Sequence, residues 1–156
     1  MILIYFENSK ILYSSIVSGD EEKAIEYVGK DVAQGTLNDI GFYVSFLSLS
    51  IQKGMNTLSK TLIMNDFKIE GTPTIGESEI VVHYPLSVWA FTESASLEIG
   101  KLLIEKGADV NHLTPGTALV GSPYKYVLKR CTPLAAAVIA GNFQKVRLLV
   151  ENGAEI

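Results

Sequence analysis

The chain has 156 residues, of which 47% are hydrophobic and 19% charged, and a formal net charge of −4. That length supports one domain with a sizeable core, and so apolar a composition excludes a disordered acidic tail. The acidic balance argues against non-specific binding to nucleic acid or to an anionic membrane, since both demand a basic face.

Cys131 is the single cysteine, so no intramolecular disulfide forms, and a lone thiol fits a reducing compartment. The opening residues Met1-Ile2-Leu3-Ile4-Tyr5-Phe6 are apolar, but no Lys or Arg precedes them and Glu7 follows at once. A secretory signal needs a basic start and a longer apolar core, so none is read. No stretch approaches the roughly 20 apolar residues of a membrane span. The expectation is a soluble, cytoplasmic protein.

In chain order, Ile11-Leu12 begins a helix that Gly19-Asp20 stops, and residues 21–30 read as a second helix. Ser45-Phe46-Leu47 begins another that ends at Gly54, followed by a helix over 55–65. Residues 71–83 change character. Thr72-Pro73-Thr74 and Gly76-Glu77 are turn chemistry and Ile80-Val81-Val82 is strand-like, which predicts a β-hairpin finger. Tyr84-Pro85-Leu86-Ser87-Val88-Trp89-Ala90-Phe91 returns to helix, and residues 97–105 form its partner.

Between Asn111 and Cys131 lie Pro115-Gly116 and Gly121-Ser122-Pro123, then Tyr124-Lys125-Tyr126, a loop with short strands. Thr132-Pro133-Leu134 then opens a helix with Thr as N-cap and Pro at the first helical position, where its missing N–H is harmless. Gly141-Asn142 ends it. The helix over 143–151 puts Val146, Leu149 and Val150 on one stripe, widened by Leu148.

One block occurs twice: Leu102-Leu103-Ile104-Glu105-Lys106-Gly107-Ala108-Asp109-Val110 and Leu148-Leu149-Val150-Glu151-Asn152-Gly153-Ala154-Glu155-Ile156. Each is an apolar helix end closed by a Gly able to take the left-handed conformation. With Thr132-Pro133-Leu134 before Gly141, the last unit resembles an ankyrin repeat, a turn and two antiparallel helices of about 33 residues. The unit from Tyr84 to Asn111 is similar, with Tyr84 where the family has a capping Thr. Gly107 and Gly153 lie 46 residues apart, so an insertion separates their units.

The resemblance implies an all-α fold, an ankyrin-repeat solenoid of about four helical hairpins in a single domain over 1–156. Its repeats fall at approximately 8–40, 42–70, 84–111 and 130–156, with inserts at 71–83 and 112–131 forming long loops or β-hairpins. It also implies a non-catalytic module that binds protein through a concave face made by the residues just before each first-helix stop. Here those are Val17 and Ser18, Gln52 and Lys53, Phe91 and Thr92, and Ile139 and Ala140. The family's His after Thr-Pro-Leu is replaced by Tyr13, Ser48, Ser87 and Ala135.

The second insert adds Tyr124 and Tyr126 interleaved with Lys125, Lys129 and Arg130. Three positive charges in an acidic protein are too small a footprint for nucleic acid and read as a protein contact. The implied partner is another protein, a basic toxin or a host protein, which makes the chain an immunity protein or a bacterial effector. No cofactor and no metal are implied. Self-association through the C-terminal repeat is the structural alternative.

The enzymatic alternative places a site in the inserts around His83, His112 and Glu79. Neither His belongs to a two-His helical spacing, and each reads more simply as a turn residue. Cys131 sits just before a helix start where any small residue serves, and Gly116 to Gly121 lacks the Gly-Lys-Ser/Thr ending of a phosphate loop. Trp89 reads as a core aromatic accommodated by Ser50 and Ala137, in preference to an exposed interface anchor.

Overall fold

The computed structural model of the chain describes residues 2–37, 43–70, 84–113, 117–120, 126–129 and 131–156. Among these residues it is mostly helical, with helices following one another in pairs. The pairs are α1 (Ile2–Ser18) with α2 (Glu21–Val28), α3 (Phe46–Gln52) with α4 (Asn56–Met64), α5 (Pro85–Phe91) with α6 (Leu97–Glu105), and α7 (Pro133–Ala140) with α8 (Phe143–Glu151). Two short antiparallel ribbons interrupt them. In the first, β1 (Gly35–Leu37) pairs with β2 (Tyr43–Ser45); in the second, β3 (Thr117–Val120) pairs with β4 (Tyr126–Lys129).

Helix starts follow local chemistry, because the first turn leaves backbone N–H groups that need an acceptor. Asp20, Ser45, Thr132 and Asn142 each supply one, taking the amides of Lys23, Ser48, Ala135 and Lys145. Pro85 and Pro133 occupy the first helical positions of α5 and α7. At the other end, Gly107 and Gly153 stand at φ 98° and 93°, as the duplicated block requires. The Gly107 amide bonds the Ile104 carbonyl and the Ala108 amide bonds Leu103; Gly153 and Ala154 repeat this on Val150 and Leu149.

The same stop closes α4 without a glycine. Asp66 stands at φ 60°, its amide bonds the Ile63 carbonyl, and the Phe67 amide bonds Leu62. Asp tolerates the left-handed region better than most side chains, so the hydrogen-bond pattern survives the change of residue.

The first helices pack in a row, α1 on α3, α3 on α5 and α5 on α7, and the second helices form another row in the order α2, α4, α6, α8. The core lies between the rows, where Leu12, Ile16, Phe46, Ile51, Leu58, Leu62, Leu86, Trp89, Ile99, Leu103 and Leu149 are buried. Polar side chains bridge neighbouring hairpins at both ends. The Asn56 amide donates to the Ser94 carbonyl (3.2 Å) and accepts from the Ser96 amide (2.9 Å). Asn111 does the same at the opposite end, donating to the Gly153 carbonyl (3.1 Å) and accepting from the Glu155 amide (2.7 Å). Among the described residues, no helix is long and apolar enough to cross a membrane.

Three features depart from the sequence reading. Helix α1 begins at Ile2 and not near Ile11, since nothing over 2–10 breaks a helix and the Ser9 hydroxyl returns its hydrogen bond to the Tyr5 carbonyl at 2.8 Å. The β1–β2 ribbon was not expected, because three-residue strands carry no readable alternation. The short strands expected in the second insert are present as β3 and β4, with Tyr126 opening the latter, while Tyr124 and Lys125 lie outside the described residues. In α8 the buried residues are Lys145 and Leu149, whereas Val146 and Leu148 are half-buried and Val150 is exposed. The expected finger over 71–83 lies outside the described residues.

No atom lies within 4 Å of the place a Cβ on Gly107 would occupy, so substitution there tests backbone conformation alone. Gly107→Val is expected to lower unfolding free energy by about 1–2 kcal/mol in urea denaturation, the strain of an L side chain in the left-handed region. An unchanged midpoint would show that the duplicated stop does not depend on glycine.

Candidate functional site

Because the first helices pack side by side, their C-terminal ends form a line along one edge of the molecule. Val17 and Ser18 end α1 and are exposed; Gln52 ends α3 half-buried, next to an exposed Lys53. Phe91 and Thr92, at the end of α5, are half-buried, while Ile139 and Ala140, at the end of α7, are exposed.

These residues do not contribute equally to a concavity. A groove of about 610 Å³ opens between the third and fourth hairpins, lined by Ala90, Phe91 and Glu93 on one side and by residues 139–144 on the other. It brings Phe91 and Ile139 together, whereas Val17, Ser18, Gln52, Lys53 and Thr92 are outside its lining. Phe143 is the residue that sequence reasoning missed, and at 85% exposure it is the most solvent-exposed aromatic among the described residues. A signal for it existed: it directly follows the Asn142 cap, on the first helical position and off the apolar stripe. Tyr124 and Arg130 lie outside the described residues, and for Tyr126 and Lys129 the structure describes only their place in β4.

Beneath the groove is a buried cluster. Trp89 is fully buried, and its indole N–H donates to the Ser96 carbonyl at 2.7 Å. The small residue that makes room for it is Gly100 on α6, where a Cβ would lie 2.1 Å from the indole Cζ2. The Lys145 side chain is 1% exposed, with Nζ 4.9 Å from the centre of the Trp89 ring. That ammonium donates to the Trp89 carbonyl (2.6 Å) and the Thr92 carbonyl (2.5 Å), capping the end of α5. Burial pushes the Lys145 pKa down to about 8, a fall that Glu93 only partly offsets.

Of the residues considered for catalysis, the structure describes His112 and Cys131. His112 stacks on Tyr84, ring centres 3.9 Å apart and planes at 23°. Tyr84 provides no helix cap in the position of the family's Thr; its hydroxyl reaches across to accept the Asp109 amide at 2.6 Å, and burial raises its pKa. The buried Cys131 thiol donates to the Thr132 carbonyl (3.2 Å), and its pKa too is raised by burial, the opposite of what a thiolate nucleophile needs. His83 and Glu79 lie outside the described residues. Among the described residues, no group of three His, Cys, Asp or Glu side chains could hold a metal ion. Among the described residues, the Ser87 hydroxyl, at a position where the ankyrin pattern has His, is buried without a hydrogen-bond partner.

The contact between Gly100 and Trp89 leaves no room for a methyl group. Gly100→Ala is expected to cost about 1–3 kcal/mol by overpacking, measured by chemical denaturation. A smaller residue in the same pocket, as in the double variant Gly100→Ala with Trp89→Leu, should lose less than the two single losses added together. Strict additivity would show that the two side chains do not share that space.

Compared with known proteins, the chain matches no protein-family model and no curated protein.

Proposed function

We propose that this chain is a non-catalytic protein-binding module of the ankyrin-repeat type, which grips a segment of another protein in the groove between its third and fourth hairpins. The observation that carries this reading is the exposure of Phe143 and Ile139 beside Phe91 in one concavity. Leaving apolar side chains in water opposes the hydrophobic effect, and large aromatics clustered in a concavity are the usual anchors of an interface. The exposed Glu93 on the same lining and the net charge of −4 favour a segment that offers an apolar side chain together with a basic group. An acidic protein of this size suits covering a basic toxin, so an immunity protein is the use we favour over a bacterial effector. The buried lone Cys131 fits a reducing, cytoplasmic setting.

A second reading is self-association through α1, a different surface from the C-terminal repeat expected from the sequence, and one observation favours it. Ile2, Leu3, Ile4 and Phe6 on α1 are more than half exposed, at the end of the row opposite the groove. Gel filtration across a concentration series separates the two readings, since a retained monomer leaves the groove as the binding surface.

The groove is tested with partner protein captured from the native cell and purified. The double variant Ile139→Asp with Phe143→Asp is expected to weaken binding by at least about 2 kcal/mol, roughly 30-fold, in calorimetry. Its stability should stay within about 0.5 kcal/mol of the parent, because both positions are exposed. Lys23→Ala, an exposed position on α2, is the neutral control. Equal affinities for the double variant and the parent would place the interface elsewhere.

A further inference from the structure

We propose that Lys145 is a positioning residue whose buried ammonium ties the two walls of the groove together, so that its protonation governs how firmly the groove is held. The inference rests on the groove being the binding surface. One wall is the end of α5 and the turn after it, with Phe91 and Glu93; the other is the end of α7 and the start of α8. Lys145 follows directly on Gln144 in the second wall, and its side chain ends on the carbonyls of Trp89 and Thr92, which flank Phe91 in the first. Two charge-assisted hydrogen bonds therefore span the groove below its floor.

Such an ammonium is an expensive way to fill a helix stripe. Its hydrogen bonds go to neutral carbonyl oxygens, and an apolar residue of the same length would fill the site without desolvating a charge. Nor do the carbonyls need it to avoid being orphaned. The Trp89 carbonyl also accepts the Thr92 amide (3.3 Å), and the Thr92 carbonyl accepts the Ala95 amide (3.2 Å). What the charge adds is a fixed relation between two hairpins.

Among the described residues, the charged groups on the elements around Lys145 are few. Helices α5 and α7 carry no titratable side chain. On α6, Glu98 pairs with Lys60 at 2.8 Å, and Lys101, Glu105 and the adjacent Lys106 are exposed. On α8 itself, Arg147 and Glu151 pair with each other at the surface. The turn after α5 brings Glu93, which favours the charged form, but burial outweighs it and leaves the ammonium poised to lose its proton near pH 8.

Deprotonation then acts in opposite directions on the tie and on the whole fold. The unfolded chain keeps this proton up to the ordinary lysine value of 10.5, so from about pH 8 to that value the unfolded state binds more protons than the folded one. This group's contribution to global stability therefore rises with pH across that window. The tie weakens over the same range, because a neutral amine donates weaker hydrogen bonds than an ammonium. Local loosening without global destabilisation is the signature.

Trp89 is the only tryptophan in the chain, and the ammonium lies over its ring, so its emission reports the state of Lys145 directly. The experiment titrates Trp89 fluorescence of the free protein from pH 6.5 to 9.5, with amide-exchange protection factors over residues 92–96 measured alongside. The parent protein is expected to show one transition near pH 8, absent from Lys145→Met and Lys145→Arg. Protection over 92–96 should fall several-fold through the transition in the parent, stay high in the Arg variant and be low throughout in the Met variant. A parent titration without a transition overturns the inference whether or not the variants fold, as does the same transition in the Met variant or protection that ignores the transition. Because no partner enters this experiment, its failure leaves the groove-binding test standing, and a failed binding test leaves the tie standing.

Discussion

The absence of a side chain at Gly100 is the constraint on which the rest of the third and fourth hairpins depends. The Trp89 ring lies where a Cβ would be, so α5 and α6 approach more closely than any other residue at that position would allow. With the indole held there, its N–H donates to the Ser96 carbonyl, its face receives the Lys145 ammonium, and the Trp89 backbone carbonyl accepts a hydrogen bond from that ammonium. The end of α5 is thereby fixed against α8, and the groove above is the space left between their tips. A core contact thus sets the geometry of an exposed surface.

Much of this fold was legible because its signals are local. The cap at Thr132, the prolines at 85 and 133 and the stops at Gly107 and Gly153 each need only a few neighbouring residues to act, and each occurs where the chain pattern places it. The stop at Asp66 was not legible, because the residue type hides a conformation that only its hydrogen bonds to Ile63 and Leu62 reveal. Lys145 was not legible for a stronger reason. Hydropathy assigns every lysine to the solvent face, and the carbonyls that make its burial tolerable lie 53 and 56 residues away along the chain. At the candidate site the pairing of Phe91 with Ile139 followed from aligning helix ends, while Phe143 fell outside that alignment and Thr92 is absent from the groove lining.

The groove also shows how one edge of a stacked structure can be specialised at a single junction. The same line of helix ends runs past Val17 and Lys53, while the groove that gathers Phe91, Ile139 and Phe143 lies at the last pair of tips. The turn before α6 brings Glu93 to its rim, and Asn142 caps α8 so that Phe143 opens the helix in solvent. Binding strength at such a surface depends on how well its walls are held before the partner arrives, since ordering them on association would consume part of the interaction energy. A tie beneath the floor serves that purpose at some cost in global stability.

The most direct measurement places a photo-crosslinking amino acid at position 143, and separately at position 23, in the protein expressed in its native cell. The groove reading predicts a single protein adduct from position 143 and none from position 23. Adducts from position 23 alone, or none from position 143 while the protein still co-purifies with a partner, would contradict it.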